Sequence, residues 1–385
     1  MTPAARVSAA IAVLDRVLSG SPAEQALTNW GRASRFAGSG DRNAVRDLVY
    51  DALRCRRSYA ALGGAQSGRG LMLGALRAAG TDPATLFTGI GHAPVPLSAG
   101  EEGRPPEGAE ALDLPDWLLP QLTQSLGADL AATAQALRQR APVFLRVNLR
   151  RGSLAQGIAA LQAESIVAEP HALADTALMV TQGARKIQTS QAYLSGLVEL
   201  QDAASQAVVS ALPLRDGMRV LDHCAGGGGK ALAMAARAQL SLFAHDADPG
   251  RMRDLPVRAA RAGVRLTRTD DPESLAPFDL ILADAPCSGS GSWRRDPQGK
   301  WALTAERLAQ IGAVQDSILD RLAPLVAPAG VLAYATCSLL RVENEDRVNA
   351  FLSRHPGWQI AGLQRFTPLS GGDGFFLAQL RQAPA

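Results

Sequence analysis

The feature that most limits how this chain can fold is a glycine-rich turn between a short apolar strand and an alanine-rich helix. It reads RVLDHCAGGGGKA and spans residues 219–231. Glycines let the backbone approach a ligand closely, and the free N–H groups at the start of the following helix can bind polar atoms. In open α/β sheets such a turn lies at the carboxyl edge of the strands, where ligands bind. The motif therefore predicts a parallel α/β sheet and a nucleoside-containing ligand.

Three kinds of ligand compete for this turn. A phosphate-binding P-loop is excluded, because it would need Gly in place of Cys224 and Ser or Thr in place of Ala231. A dinucleotide fingerprint fits loosely, with Gly226, Gly228 and Ala231 at its three positions. A methyl-donor site fits as well, because Asp246 ends the next predicted strand and can hold ribose hydroxyls in either case. A tight turn that binds no ligand is the remaining interpretation.

The region after residue 200 alternates between strand and helix patterns. A helix is predicted over 201–212, followed by strands over 218–222, 241–246, 264–268, 278–283 and 330–336. Helices are predicted over 249–262, 304–324 and 343–354. Short apolar strands separated by helices are typical of a mostly parallel sheet that is covered on both faces. The segment 374–380 is predicted to add an edge strand.

The front of the chain is predicted to be helical. Helices are expected from Val7 to a stop at Gly20, from near Asp41, and over 71–79. Residues 93–112 are rich in Pro, Gly and Glu and are predicted to be a linker. Two more helices, over 115–126 and 128–140, precede a strand that begins near residue 142. We therefore expect a helical domain over 1–92, a connecting α+β subdomain over 113–198 and a larger domain over 199–385.

The composition narrows the class of protein. Of the 385 residues, 47% are hydrophobic, which excludes a disordered chain, and no apolar run is long enough to span a membrane. The N-terminus has no clean signal-peptide pattern, so we expect a cytoplasmic protein without a membrane partner. The net charge of +3 is compatible with nucleic acid binding but does not demonstrate it. No CxxC pair occurs among the four cysteines, so neither a metal site nor a disulfide framework is expected.

Two of the cysteines follow predicted strands at the ligand-binding edge of the sheet. Asp284 ends the strand in FDLILADAPCSGSG, and Cys287 comes three residues later. Cys337 follows the strand in GVLAYATCSLL. A free cysteine is usually a small buried hydrophobic residue. Neither packing nor redox chemistry accounts well for two cysteines and an aspartate at this edge.

These segments resemble the RNA cytosine-5 methyltransferases of the Sun/NOL1/NOP2 family, and most of all the branch that acts on bacterial 16S ribosomal RNA. The resemblance runs from about Leu145 to the C-terminus and is carried by seven motifs: LRVNLRR (145–151), IQTSQAY (187–193), LQDAASQ (200–206), LDHCAGGGGKA (221–231), DAPCSGSGSWRRDP (284–297), YATCSLLRVENED (334–346) and GGDGFF (371–376). The helical front end resembles the NusB-like RNA-binding domain of one branch. The implied fold is α/β: a Rossmann-like methyltransferase domain that uses S-adenosylmethionine, a NusB-like α-helical N-terminal domain and a small α+β connecting subdomain.

The resemblance also implies a chemistry. C5 of cytosine is a weak nucleophile, and a thiolate that adds to C6 activates it. By family position Cys337 is this nucleophile, Asp284 pairs with N3 of the base, and Cys287 assists release. Lys230 is expected to lower the pKa of the thiolate or to touch the base. The residues implied to contact the cofactor are Cys224, Ala225, Gly226, Gly227, Gly228, Gly229, Lys230, Asp246, Asp270 and Asp284.

The partner implied by the resemblance is RNA, with 16S ribosomal RNA expected. The residues predicted to contact it, with plain surface charge as the alternative, are Arg146, Asn148, Arg294, Arg295 and Trp301.

Two residues depart from the usual Ala-Pro-Gly-Gly-Lys-Thr turn of the family: Gly227 stands for Pro and Ala231 for Thr. We expect weaker cofactor binding but not loss of catalysis. His223 is expected to pack or face solvent, and the chain to be a monomer.

Several alternative functions stay open at this point. The altered turn leaves room for a non-catalytic RNA-binding or ribosome-assembly factor on the same fold, although such a protein has no need of both cysteines. Transfer RNA is an alternative substrate. A dehydrogenase would need a catalytic His, Tyr or Lys near a nicotinamide, and no such residue is evident. A DNA cytosine-5 methyltransferase would use the cysteine of its Pro-Cys motif, and the additional Cys337 favours RNA.

Overall fold

The computed structural model describes residues 1–383 and divides into two compact units. The first consists of Met1–Arg140 with Trp293–Leu303, and the second of Ala141–Ser292 with the chain from Thr304 onward. The sequence-predicted division at residues 92, 112 and 198 remains a prediction about function, because packing alone does not test it. Among the described residues no helix is both long and apolar enough to cross a membrane.

The first unit is a bundle of α-helices. Its helices are α1 (Pro3–Leu18), α2 (Ala23–Ala33), α3 (Ser39–Arg54), α4 (Arg56–Gly63), α5 (Gly68–Ala78), α6 (Leu119–Leu126), α7 (Leu130–Leu137) and, later in the chain, α13 (Pro297–Ala302). Val7 and Leu14 of α1 pack with Val45 and Val49 of α3 in one buried core. These residues recur at helical spacing, which is why the sequence predicted the helices.

The predicted linker over 93–112 forms neither helix nor strand. It is nevertheless tied to α5 by the guanidinium of Arg69. This side chain donates hydrogen bonds to the carbonyl oxygens of Val95 and Pro96, each at 3.0 Å, and pairs with Glu101. The segment is therefore held against the helices at these points.

A small antiparallel sheet opens the second unit. Its strands are β1 (Val143–Val147), β2 (Val167–Pro170), β3 (Ala177–Gln182) and β4 (Val198–Leu200), in the order β2-β3-β1-β4. Helices α8 (Leu154–Ala163) and α9 (Gln191–Leu194) belong to the same stretch of chain. Leu145 and Val147 of β1 are fully buried together with Leu161 of α8 and Leu178 of β3. The α+β character that the sequence predicted for this stretch is thus present.

A seven-stranded sheet forms the larger part of the second unit. Its strands are β5 (Arg219–His223), β6 (Ser241–His245), β7 (Thr267–Arg268), β8 (Phe278–Asp284), β9 (Val326–Thr336), β10 (Trp358–Phe366) and β11 (Phe375–Gln382). The order is β10-β11-β9-β8-β5-β6-β7. The strands from β9 to β7 run parallel to one another, and β11 pairs antiparallel with both β9 and β10. The helices are α10 (Ala203–Ser210), α11 (Gly229–Ala235), α12 (Leu255–Ala262), α14 (Ala305–Leu322) and α15 (Glu345–Arg354).

The central strands are apolar because both faces of the sheet are covered. Leu280 and Leu282 of β8 pack in one core, whereas Ile281 and Ala283 pack in the other. Alternate side chains of a strand point to opposite faces, so a doubly covered strand reads as a continuous apolar run. This confirms the prediction of a mostly parallel sheet covered on both sides.

Two details of the predicted sheet were wrong. The segment 374–380 is not an edge strand, because β11 lies between β9 and β10. The edge is β10, most of whose residues are exposed, so its sequence carries no apolar pattern that would predict a strand. The strand predicted over 264–268 is reduced to Thr267–Arg268 at the other edge. Edge strands lack a second neighbour and leave weaker sequence signals.

Candidate active site

The glycine-rich turn joins β5 to α11 and packs tightly. Cys224, Gly226 and Gly228 all have positive φ, and the amide of Gly228 donates to the carbonyl of Ala225 at 2.8 Å. A Cβ atom on Gly228 would lie 2.1 Å from the side chain of Leu255. Position 228 therefore requires glycine both for its backbone conformation and for its packing.

Asp246 anchors the turn from the neighbouring strand. It directly follows β6 and is only 3% exposed. Its Oδ2 atom accepts a hydrogen bond from the amide of Gly226 at 2.9 Å and lies 3.3 Å from the guanidinium of Arg251. Asp270 follows β7, the next strand along, and is exposed. Two of the three aspartates that were predicted to contact a cofactor thus lie at the carboxyl edge of adjacent parallel strands.

Lys230 and Asp284 form an ion pair between α11 and β8. The ammonium nitrogen of Lys230 lies 2.6 Å from Oδ2 of Asp284, and the lysine side chain is 10% exposed. Burial alone would lower the pKa of Lys230, but the charge of Asp284 and their hydrogen bond raise it on balance. The Lys230 ammonium also lies 5.0 Å from the centre of the Phe375 ring. These contacts fix one charged pair at the edge of the sheet.

The two predicted catalytic cysteines are brought together. Their sulfur atoms lie 3.2 Å apart, within hydrogen-bond distance for thiols. The loops that carry them are joined by the amide of Gly291, which donates to the carbonyl of Cys337 at 3.0 Å. The hydrogen bond with Cys337, burial, and the charges of Cys337 and Glu343 all raise the pKa of the Cys287 thiol well above its usual range. Two adjoining thiols, one of them held protonated, are the arrangement expected of a nucleophile with a proton-bearing partner.

Cys224 is a different kind of cysteine. Burial, with the nearby charges of Asp246, Asp284 and Asp222, raises the pKa of its thiol to about 12. It therefore stays protonated at neutral pH and does not qualify as a nucleophile. Its place in the turn agrees with its prediction as a residue that lines the cofactor site, a role that remains a proposal.

Two buried titratable residues lie next to the turn, and only His223 was recognised from the sequence as unusual. Burial and the charge of Asp284 raise the pKa of Asp222, on β5, to about 8. His223, the next residue, packs on the opposite face and stacks on the ring of His245 at 4.7 Å. Burial and the proximity of His245 lower the pKa of His223 to about 4. The structure agrees with packing, rather than solvent exposure, as the role of His223.

The predicted RNA contacts of β1 are corrected by the structure. Arg146 is buried and donates to the carbonyl oxygen of Gly229 at 2.7 Å, which steadies the first residue of α11. Asn148 is 2% exposed, and its amide nitrogen donates to the carbonyl oxygens of Gly196 and Ala262 at 3.0 and 2.9 Å. These polar groups hold elements of the protein together, so they are not free to contact RNA.

The other three predicted RNA contacts belong to the first unit. Arg294 is 5% exposed, and its carbonyl oxygen accepts a hydrogen bond from Arg54 at 2.8 Å. The indole N–H of Trp301 donates to the carbonyl oxygen of Leu53 at 2.7 Å. The Arg54 contact involves the backbone of Arg294, whereas Trp301 uses its side chain. The RNA contacts of both residues remain predictions. Arg295 is exposed and remains a predicted RNA contact.

The described residues contain no cluster of three or more His, Cys, Asp or Glu side chains with the geometry of a metal site. The groups that meet at the sheet edge are the glycine turn, three aspartates, one lysine and two thiols. This set can bind a nucleoside, hold a base through a carboxyl group and supply a sulfur nucleophile.

Comparisons with known proteins identify the family. Residues 209–381 match the family described as 16S rRNA methyltransferase RsmB/F, and residues 114–187 match its ferredoxin-like domain. The ribosomal RNA small subunit methyltransferase B of Xylella fastidiosa is 37% identical over 286 residues. That match covers 69% of this chain and 66% of the relative, just under two thirds of its length.

Solved structures show the same fold. The crystal structure of PH0851 aligns over 99% of both chains with a TM-score of 0.79 at 22% sequence identity. The structure of NSun6 from Pyrococcus horikoshii with SFG aligns over 71% of this chain and 99% of that chain, with a TM-score of 0.62 and 18% identity. The matches to the two family models and to the curated relative show that the chain belongs to the RsmB/F family of methyltransferases.

Proposed function

We propose that this protein transfers a methyl group from S-adenosylmethionine to C5 of a cytosine in RNA, through a covalent bond between Cys337 and C6 of the base. The observation that carries the proposal is the 3.2 Å approach of Cys287 and Cys337 beside the Lys230–Asp284 pair. A protein that only bound RNA would have no use for two adjoining thiols at the ligand edge of a sheet. The expected substrate is 16S ribosomal RNA, because relatives of the chain are named for the small ribosomal subunit.

The residues present suit S-adenosylmethionine. The turn from Cys224 to Gly229 leads directly into the start of α11, and the buried carboxylate of Asp246 follows β6, where an acidic side chain would hold the ribose hydroxyls of a nucleoside. We assign cofactor binding to this turn, to Lys230 and to Asp246, Asp270 and Asp284. SFG, present in the NSun6 structure, is an analogue of the same cofactor. When bound, S-adenosylmethionine supplies a methyl group on a positively charged sulfur and leaves with the electron pair of the broken carbon–sulfur bond.

The thiolate of Cys337 opens the reaction. Its electron pair forms a bond to C6, and the π electrons of the C5–C6 double bond become available at C5, which then bonds to the methyl carbon. Asp284 is assigned to share a proton with N3, and this proton stabilises the negative charge that the ring gains as the thiolate adds to C6. Lys230 holds the Asp284 carboxyl group in place through their 2.6 Å contact.

Release reverses the addition. The proton on C5 leaves to a solvent base, its electron pair restores the C5–C6 double bond, and the bond between sulfur and C6 breaks. The electron pair of that bond returns to the Cys337 sulfur as a thiolate. Cys287, whose sulfur lies 3.2 Å away, is assigned to assist this departure. Atoms and electrons balance without a further reactant.

Cysteine variants test the proposal. Cys337→Ala should lower methyl transfer from labelled S-adenosylmethionine to deproteinised 16S RNA by at least about a thousandfold, since it removes the nucleophile. Cys287→Ala should accumulate a denaturant-resistant adduct of protein and RNA. Cys55→Ala, which removes a buried cysteine of the first unit, is the matched control and should keep wild-type activity. Normal activity in Cys337→Ala would refute the mechanism.

Bisulfite sequencing of RNA from cells with and without the gene tests the substrate. A cytosine protected only in the presence of the gene, and located in 16S RNA, is the expected result. Protection located in transfer RNA instead would contradict the proposed substrate but leave the chemistry intact. Absence of any protected cytosine in RNA, together with retained RNA binding, would favour an assembly factor.

A further inference from the structure

Glu343 connects the two loops that carry the cysteines. It lies between β9 and α15 and is fully buried. Its Oε1 atom accepts the amide of Ser288 at 2.7 Å, its Oε2 atom accepts the Ser288 hydroxyl at 2.5 Å, and its carboxylate also accepts the hydroxyl of Ser338. Ser288 directly follows Cys287, and Ser338 directly follows Cys337. One carboxylate thus binds the residue after each cysteine.

Further hydrogen bonds hold this carboxylate in place. The amide of Gln315, on α14, donates to Oε1 of Glu343 at 3.3 Å and to the carbonyl of Pro286 at 2.9 Å. The hydroxyl of Tyr334 donates to the carbonyl oxygen of Glu343 at 2.7 Å. A buried carboxylate with this many donors is fixed in position, because each lost donor would leave a desolvated oxygen unpaired.

The two cysteine loops are also joined directly. The hydroxyl groups of Ser290 and Ser338 lie 3.0 Å apart, and the Ser290 hydroxyl accepts the amide of Leu339 at 2.8 Å. The amide nitrogen of Asn344 donates to the carbonyl oxygen of Ser338 at 2.9 Å. The distance between the two sulfur atoms is therefore set by a network in which Glu343 takes the central place.

The charges around the thiol pair are unequal. Glu343 accepts every hydrogen bond that its carboxylate makes here, and its charge raises the pKa of the Cys287 thiol, after the larger effects of the Cys337 hydrogen bond and burial. Lys230 lies close enough to Cys337 for the charges of the two groups to influence each other. The titratable groups that face the pair are Lys230 on α11, Asp284 on β8, Tyr334 on β9 and Glu343 ahead of α15. A negative charge beside one thiol and a positive charge beside the other separate their acidities.

We propose that Glu343 is a positioning residue that fixes the spacing of the cysteine loops and, by its charge, keeps Cys287 as the thiol partner of a Cys337 thiolate. The role of the cysteine pair in catalysis rests on the proposed function, but the protonation of the two thiols can be measured without RNA or cofactor. Cys287 then takes part in release as a hydrogen-bond donor. Its S–H group donates to the Cys337 sulfur while the bond between that sulfur and C6 breaks and its electron pair returns to Cys337.

Alkylation of the two thiols tests the proposal without RNA or cofactor. The full-length reduced protein is treated with iodoacetamide between about pH 6 and pH 10, and mass spectrometry of the separated peptides follows each cysteine. In the wild type the pH midpoint of Cys287 should lie above that of Cys337. Glu343→Gln keeps the shape of the side chain and removes its charge. It should raise the alkylation rate of Cys287 near neutral pH about three- to tenfold, equivalent to half to one unit of pKa.

Two further variants separate charge from structure. Ser288→Ala removes hydrogen bonds to Glu343 but keeps the charge, so the Cys287 midpoint should move less than in Glu343→Gln. Glu345→Gln is the matched control, because its carboxylate pairs with Arg365 instead, and it should leave both midpoints unchanged. In RNA assays Glu343→Gln should lower kcat more than it changes KM for RNA.

The proposal is overturned if Glu343→Gln leaves the Cys287 midpoint unchanged, or if Ser288→Ala shifts it as far. If Glu343→Gln does not fold by circular dichroism, the wild-type profile decides: a Cys287 midpoint below that of Cys337 contradicts the assignment. Failure of the proposed function would look different: the wild-type protein would be inactive on RNA, while the pH midpoints of the two thiols kept the expected order.

Discussion

The ammonium nitrogen of Lys230 lies 2.6 Å from the carboxylate oxygen Oδ2 of Asp284. Lys230 is the second residue of α11, at the end of the glycine-rich turn, and Asp284 is the last residue of β8, three residues before Cys287. This ion pair ties the proposed cofactor site to the proposed site of covalent catalysis. Because the lysine is buried, the pair is held in one geometry with little screening by solvent.

Replacement of Lys230 by Met should impair both activity and stability. The variant leaves Asp284 without its partner in a partly buried site, so we expect the free energy of unfolding to fall by about 1–3 kcal/mol. We also expect kcat for methyl transfer to fall by about a hundredfold, because the carboxyl group loses its orientation. Denaturant unfolding and single-turnover assays measure the two effects. Lys186→Met, at an exposed position, should change neither, and wild-type kcat in Lys230→Met would exclude a role for the pair in catalysis.

Asp246→Asn should weaken cofactor binding with little effect on the chemical step. The carboxylate of Asp246 holds the amide of Gly226 at 2.9 Å and is proposed to hold the ribose. Loss of a charge-assisted hydrogen bond costs about 1.5–3 kcal/mol, so the Kd for S-adenosylhomocysteine should rise by tenfold or more. Isothermal titration calorimetry measures it, and kcat at saturating cofactor should stay close to wild type.

Asp270→Asn and Asp271→Asn decide which of these neighbouring aspartates contributes to the same site. Asp271 accepts a hydrogen bond from the amide of Ser274 within its own loop, whereas Asp270 is the residue assigned to the cofactor. We therefore expect a higher Kd for S-adenosylhomocysteine in Asp270→Asn only. An effect of the Asp271 variant alone would transfer the assignment from one residue to the other.

The parts of the site that the sequence predicted are those that follow from strand order. Asp246 and Cys337 come directly after parallel strands, and Asp284 is the last residue of one. Such strands end at one edge of a sheet, so the proximity of the three residues follows from the pattern. The 3.2 Å contact between Cys287 and Cys337 could be expected from the same argument together with the family resemblance. The position of β11 between β9 and β10 could not be predicted. The same strand sequence is compatible with a place at the edge of the sheet or inside it.

The residues whose roles the sequence missed or misassigned are those whose partners lie far away along the chain or in another loop. The side chain of Asn148 donates hydrogen bonds to the carbonyl oxygens of Gly196 and Ala262, and the sequence around Asn148 predicts neither partner. Glu343 looks like an ordinary acidic residue before a helix, but it is fully buried among serines from two loops. A signal for Glu343 was present in retrospect, since a serine follows each of the two cysteines. Burial of a polar residue is a property of tertiary packing and not of the local pattern.

The stability of the protein should depend on His223 in mildly acidic solution. Burial lowers the pKa of His223 from 6.5 to about 4, so the folded state favours its neutral form. The resulting stabilisation is present above about pH 6.5 and is lost as the pH falls towards 4, by at most about 3 kcal/mol. His223→Phe keeps a ring that can stack on His245 and removes the titration. The free energy of unfolding, measured from pH 7 to about pH 4, should therefore fall more steeply in the wild type.

A second histidine provides the control for this pH dependence. His92 is exposed in the first unit, and His92→Gln should leave the slope unchanged. Equal slopes in wild type and His223→Phe would show that the imidazole of His223 becomes protonated without cost in the folded protein.

Arg258 should compensate for the missing proline of the glycine-rich turn. A guanidinium nitrogen of Arg258 donates to the carbonyl oxygen of Gly227, and Arg258 also lies 3.6 Å from Glu199. A Cβ atom on Gly227 would lie 2.6 Å from this nitrogen. The guanidinium therefore occupies space that a proline ring would require. Its hydrogen bond to Gly227 holds the turn in place, whereas a proline would do so by restricting the backbone.

The double variant distinguishes this compensation from two independent effects. Gly227→Pro alone should weaken S-adenosylhomocysteine binding because its ring meets Arg258, and Arg258→Ala alone should weaken it because the turn loses its brace. Combined, the two should restore much of the affinity, with a coupling free energy of about 1–2 kcal/mol. Gly227 has no positive φ, so proline is compatible with the sign of its backbone angle. Additive losses, measured by calorimetry on all four proteins, would mean that Arg258 does not stand in for the proline.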